Sequence, residues 1–209
     1  MPTIWLLLRH GKTDNPEQRC YGWRDVPLHP DGQAQMQQCA AKLQAVRLAA
    51  IATSDLVRAR DSARYFALPR SLDVQVFAAL REIDFGQIEG LTFRDVEEHY
   101  PVTAREWVAA PAAVRFPGGE CFADVRARVI PWARNWLRDW EQQTTLLVIH
   151  SGTMRALLQW MTGCEPHATL MVKIGYGDIL RCTQEHLDAP WQLEAMPYGA
   201  TAFTSVALE

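Results

Sequence analysis

Apolar positions along the chain follow two rhythms. Largely apolar runs of four or five residues at 4–8, 49–53, 74–77 and 145–149 are bounded by polar or turn-forming residues, the pattern of short strands buried on both faces. Between them, residues 31–46 space Ala34, Met36, Ala40, Leu43 and Val46 at roughly helical intervals after the turn signal His29-Pro30-Asp31-Gly32, and residues 56–67 read as a helix that stops before Pro69. The loop Pro117-Gly118-Gly119-Glu120 opens a long helix to about Trp140, in which Pro131 predicts a kink or a break. Residues 155–161 read as a helix ending near Gly163, and 172–174, 179–182 and 192–195 as a closing set of strands.

Residues 92–116 interrupt this order with short, polar, proline-punctuated sequence. Thr92 followed by Asp95 resembles the start of a short helix ending near Tyr100-Pro101. The stretch has too few apolar residues for a core of its own, so it is read as a helical insertion, a cap, within one domain spanning 1–209. Strands alternating with helices predict an α/β domain with a largely parallel central sheet and helices on both faces.

Composition narrows the field. The chain has 209 residues, 48% hydrophobic and 22% charged, enough for one sizeable core. A net charge of −3 gives no global pull toward nucleic acid or an anionic membrane. Any anion site must then be local, built from a few converging arginines. No apolar run approaches the roughly 20 residues of a membrane span, and the first residues lack a basic start and cleavage site, so a cytoplasmic protein is expected. Five scattered cysteines without a C-x-x-C pair suggest reduced thiols, not zinc ligands or a disulfide framework.

Candidate chemistry lies at two strand ends. Leu6-Leu7-Leu8-Arg9-His10-Gly11 and Leu146-Leu147-Val148-Ile149-His150-Ser151-Gly152 each carry a histidine at the carboxyl end of a predicted strand, where parallel sheets bind ligands. Helix N-termini that follow such loops favour an anion. Two histidines in one context, one directly after an arginine, point to a shared site.

These residues belong to a longer ordered set: Arg9-His10-Gly11 with Thr13; Gly22 with Asp25-Val26-Pro27-Leu28 and Gly32; Ser54-Asp55-Leu56-Val57-Arg58-Ala59; Leu80-Arg81-Glu82-Ile83-Asp84-Phe85-Gly86 with Glu89-Gly90-Leu91; Pro117-Gly118-Gly119-Glu120; and His150-Ser151-Gly152. In this order they resemble the histidine phosphatase superfamily, also called phosphoglycerate mutase-like. The last fifty residues add little to the resemblance. It implies a three-layer phosphoglycerate mutase-like α/β fold and a phosphomonoesterase acting on a small-molecule phosphate ester without metal or cofactor.

The resemblance also implies roles. His10 is the nucleophile that forms a phosphohistidine, since a neutral imidazole is available near pH 7. Arg9, Arg58 and His150 surround the phosphoryl oxygens, guanidinium forks matching their geometry. Glu82, with Asp84 a distant second, donates a proton to the leaving oxygen and then activates water. Thr13, Asn15, Tyr21, Gly22, Ser151 and the Gly152 amide join the substrate-binding set. Within the family the Leu-Leu-Arg-His-Gly start and the segment from Tyr21-Gly22 to Pro27-Leu28 look most like α-ribazole phosphatases of cobalamin synthesis. The alternatives are a mutase that returns the phosphoryl group to an acceptor, and a non-catalytic phospho-ligand-binding relic. Nucleic acid and membrane are not expected partners, and a homodimer is left open.

Three positions depart from the family's usual pattern. Lys12 adds positive charge beside the expected pocket, Asn15 stands near a usual phosphate-binding asparagine in an uncertain register, and Cys121 replaces a serine. Arg60, Arg64, His29, His99, His167 and His186 read as surface residues. The eight tryptophans read as packing in core and cap.

Overall fold

The computed structural model describes residues 1–196. Among them, six strands, β1 (Thr3–Arg9), β2 (Ala50–Thr53), β3 (Val74–Val76), β4 (Thr144–Ile149), β5 (Ile179–Gln184) and β6 (Gln192–Met196), form one sheet in the order β3-β2-β4-β1-β5-β6. Seven helices accompany them: α1 (Pro30–Lys42), α2 (Val57–Ala67), α3 (Phe93–His99), α4 (Pro101–Ala109), α5 (Phe122–Asp139), α6 (Ser151–Thr162) and α7 (Pro166–Met171). The four strands β1 to β4 run parallel, and β5 and β6 add an antiparallel edge beside β1.

β1 explains the layering. Successive side chains of a strand point to opposite faces, so Leu6 and Leu8 meet Met36 and Leu43 of α1 and Phe66 of α2. Trp5 and Leu7 enter the opposite cluster with Val125 and Val129 of α5 and Leu157 of α6. Both faces are covered, which is why the strand is continuously apolar.

Several predicted boundaries move. α1 ends at Lys42, with Leu43 as its cap. α5 runs unbroken through Pro131, which lies on the exposed side, where water can serve the carbonyl that proline leaves unpaired. α6 begins at Ser151, so Ser151 and Gly152 are its first turn and not a loop. Residues 172–174 are not a strand: they follow α7, and their buried Val172 and Ile174 mimic strand alternation. His29 is more than a surface residue, because its ring accepts the Asp31 amide and caps α1.

The cap is α3 and α4. Thr92 and Asp95 form the expected reciprocal capping box. The insertion shares a small core with the rest of the chain: its Val96, Ala104, Val114 and Phe116 cluster with Ile88 from outside it.

The register of β1 on β4 positions the site. Arg9 lies opposite Ile149, so the next residue of each strand is a histidine, and the two stand side by side at the carboxyl edge.

Candidate active site

His10 and His150 are both buried, with ring centroids 5.0 Å apart. A hydrogen bond fixes the tautomer of His10. The His10 Nδ1 lies 2.8 Å from the Gly11 carbonyl oxygen, which can only accept, so Nδ1 carries the proton and Nε2 keeps a lone pair. The His150 Nε2 lies 2.7 Å from the Ser54 hydroxyl. That hydroxyl also accepts the Leu56 amide, which leaves it a proton and a second lone pair, so it can meet Nε2 in either tautomer. The His150 Nδ1 is buried without a partner among the described residues. Burial first, then the nearby Arg58 and Arg9, hold His10 well below the usual histidine range; burial, Arg58 and His10 do the same for His150. Both imidazoles are neutral near pH 7.

Gly11 is demanded by close approach: a β-carbon there would stand 2.6 Å from the Gly32 carbonyl oxygen at the start of α1. Its amide donates to Ser62 of α2, which ties the His10 loop to the helix that carries Arg58.

The two expected arginines converge here. Arg58 is buried and donates to the carbonyls of Arg24 and Gly22, at 3.0 and 2.6 Å. Arg9 donates to the Ile174 carbonyl and leaves a buried Nε unpaired. The Tyr176 ring covers the Arg9 guanidinium at 4.0 Å and lies 5.5 Å from the His10 ring. Tyr176 falls in the stretch that adds little to the family resemblance. Its one sequence signal is its place between Gly175 and Gly177 just before β5.

Glu82 is the carboxylate that reaches this site. Its Oε1 accepts the Ile83 and Gly152 amides, both at 2.9 Å, and its Oε2 accepts the Ser151 hydroxyl at 3.1 Å. Its carbonyl is held by the Trp23 indole and by Arg128. The other acids are committed elsewhere. Asp84 accepts the Gly86 amide in a turn, and Glu89 gathers the amides of Gly22, Trp23, Arg24 and Phe85.

A cavity of about 260 Å³ opens over these groups, lined by Arg9, His10, Arg58 and Glu82 together with Thr13, Asn15, Tyr21 and Ser151. Gly22 and Gly152 do not line it and act through the Arg58 and Glu82 side chains they hold; His150 lies behind the lining, its ring 5.0 Å from that of His10. Four expectations change. Ser151 and the Gly152 amide hold the Glu82 carboxylate rather than facing an open phosphate position. The Asn15 amide is used at both ends on the Arg19 backbone, closing its own loop. Lys12 turns to Asp31, 2.6 Å away, and does not line the cavity. Cys121 keeps the helix-start position of a serine, its amide and thiol both on Asp124 of α5. Arg60 and Arg64 are exposed as expected.

Phe85, Trp107, Arg19 and Cys20 also line the cavity. The sequence places the helical insertion over the site but does not single out these residues, because they reach the cavity from the cap and from irregular loops.

Neighbouring parallel strands that set two histidines side by side at the carboxyl edge of the sheet, under a helical cap, define the phosphoglycerate mutase-like class of α/β proteins. Residues 5–195 match the histidine phosphatase superfamily (branch 1), and the chain belongs to that family. The chain is 39% identical over 160 residues to the bifunctional protein Rv2228c of Mycobacterium tuberculosis, a match covering 76% of this chain and 44% of that one. It thus spans less than half the length of that relative. Phosphoserine phosphatase 1 of Hydrogenobacter thermophilus is 32% identical over 161 residues, covering 77% of this chain and 76% of that one. Among solved structures, Bacillus stearothermophilus YhfR superposes with a TM-score of 0.85 at 28% identity, covering 92% and 96% of the two chains. The mycobacterial glucosyl-3-phosphoglycerate phosphatase Rv2419c superposes at 0.82 and 26% identity, covering 93% and 98%.

Proposed function

We propose that this protein is a phosphomonoesterase working through a phosphohistidine on His10, without a metal ion. The observation that carries the reading is a lone pair on His10 Nε2 beside a buried, partnerless Nδ1 on His150, flanked by Arg9 and Arg58; with Ser54 donating to His150 Nε2, the His150 proton stands on Nδ1. A buried donor left unpaired costs about 1–3 kcal/mol, and a phosphoryl oxygen held at His10 relieves that cost.

The reaction runs in two transfers. The His10 Nε2 forms a bond to phosphorus as the ester P–O bond breaks, and Glu82 gives its proton to the departing alkoxide. Oε2 is the oxygen suited to carry that proton, because its partner among the described residues is a hydroxyl that can rotate to accept. A water then attacks phosphorus, its proton passes to Glu82, the N–P bond breaks, and inorganic phosphate leaves. Arg9, Arg58 and the His150 Nδ1–H offset charge on the equatorial oxygens in both steps.

The test is a panel of phosphate esters assayed with chelator present, on wild type and His10→Ala. α-Ribazole 5′-phosphate is included because the sequence resembles that branch. The expected result is chelator-insensitive phosphate release that falls about a hundredfold or more in the variant. Chelator-sensitive release or full activity in His10→Ala overturns the mechanism. Phosphoryl exchange with 3-phosphoglycerate that outruns hydrolysis would make the protein a mutase, and silence on every ester would make it a binding relic.

A further inference from the structure

The cavity lining comprises His10, Arg9 and Arg58, the phosphate end in the proposed reaction, and Phe85, Trp107, Tyr21 and Arg19, which we assign to a second end. The reaction leaves the second end to the alcohol part of the ester. Resting on the phosphomonoesterase reading, we propose that this end is a subsite for uncharged alcohols carrying a flat ring, and that it rejects leaving groups bearing a carboxylate or a second phosphate.

Charge carries the first half. Among the described residues the lining cations are Arg9, Arg58 and Arg19. Arg9 and Arg58 match the two negative charges of one phosphate. Arg19 is already occupied: it pairs with Glu17, lies 3.9 Å from Asp95, and donates to the Gly90 carbonyl at 2.7 Å. Lys12 is turned away to Asp31, and residues 197–209 contain neither lysine nor arginine. A second anion on the substrate would therefore meet the Glu82 carboxylate and an Arg19 already neutralised by Glu17 and Asp95, an arrangement that penalises binding.

Shape carries the second half. Trp107 of α4 packs against Phe85 at 5.6 Å between centroids, and each packs against Phe116. That packing fixes both rings in the small core of the cap while both still border the cavity. Preset aromatic surfaces bind a flat group without paying much ordering entropy.

Two matched pairs test this. Glycerol 1-phosphate against 3-phosphoglycerate isolates the carboxylate, and benzyl phosphate against ethyl phosphate isolates the ring. In kcat/KM, about a tenfold or larger preference for the first member of each pair is expected. Trp107→Leu, which keeps apolar volume in the cap, should remove the ring preference and leave the charge preference. Glu17→Gln, which releases Arg19, should narrow the charge preference. Equal or faster turnover of 3-phosphoglycerate, or a ring preference that survives Trp107→Leu, overturns the proposal. Calorimetric binding of benzylphosphonate against phosphonoacetate gives the same order without turnover. If that order holds while no ester is hydrolysed, the phosphomonoesterase reading fails alone; if it reverses, the subsite proposal fails.

Discussion

Gly152→Ala separates the acid role of Glu82 from the rest of the site. Gly152 is the second residue of α6, with no positive φ, so its backbone accepts alanine. A β-carbon there would fall well inside 3.0 Å of Glu82 Oε1, and the next nearest atom outside that carboxyl group, the Ile83 nitrogen, is at 3.8 Å. Ordinary contact begins near 3.4 Å, so the carboxylate must retreat by roughly an ångström. Misplacement on that scale costs about a hundredfold in a positioned proton transfer. Stability should change little. The lost amide bond to Oε1 costs about 1 kcal/mol, and alanine in a helix regains a similar amount over glycine.

The assay is kcat/KM, which reports the step that phosphorylates His10, on an alkyl phosphate and on p-nitrophenyl phosphate. The alkyl ester needs a proton on its leaving oxygen; p-nitrophenolate does not. A loss of about a hundredfold on the alkyl ester, with only a few-fold loss on the aryl ester and an unchanged melting temperature, is expected. Equal losses on both esters would refute Glu82 as the acid, and no loss on either would remove it from the step.

Two further predictions concern the histidines. Ser54→Ala removes the donor assigned to His150 Nε2 in the proposed reaction and leaves a buried ring nitrogen unpaired; stability should fall by about 1–3 kcal/mol and kcat/KM by about tenfold or more, whereas unchanged kinetics would refute that assignment. Because both buried histidines have their proton affinity lowered by folding, the unfolded chain binds more protons as pH falls. Their neutral burial is favourable above about pH 6.5 and is lost below it, with a slope approaching about 2.7 kcal/mol per pH unit. Urea unfolding at pH 7.5 and 5.5 checks this, and equal stabilities at the two would refute it.

Local sequence carried much of the site. Arg9-His10-Gly11 and His150-Ser151-Gly152 are legible because a buried parallel strand must be continuously apolar, so a charged or imidazole residue at its end stands out. Arg58 and Glu82 came from ordered motifs and converge where the motifs implied. Tyr176, Ser54 and Trp107 were not legible as site residues. Their contacts with Arg9, His150 and the cavity cross sequence separations that no local pattern records. Ser151 and Gly152 were legible as site residues, but their hydrogen bonds to Glu82 depend on where the 82–83 turn meets the start of α6.

The amino-acid sequence alone determined the alternation of strands and helices, the capped insertion and the family, because these rest on side-chain periodicity and on short motifs whose backbone demands are local. Tertiary structure decided which tautomer His10 holds, that Lys12 turns away and that Arg19 is already paired. Hydrogen-bond partners and neutralising charges are fixed by packing between elements far apart in the chain. Only the register of β1 on β4 and the seating of the cap bring them within reach.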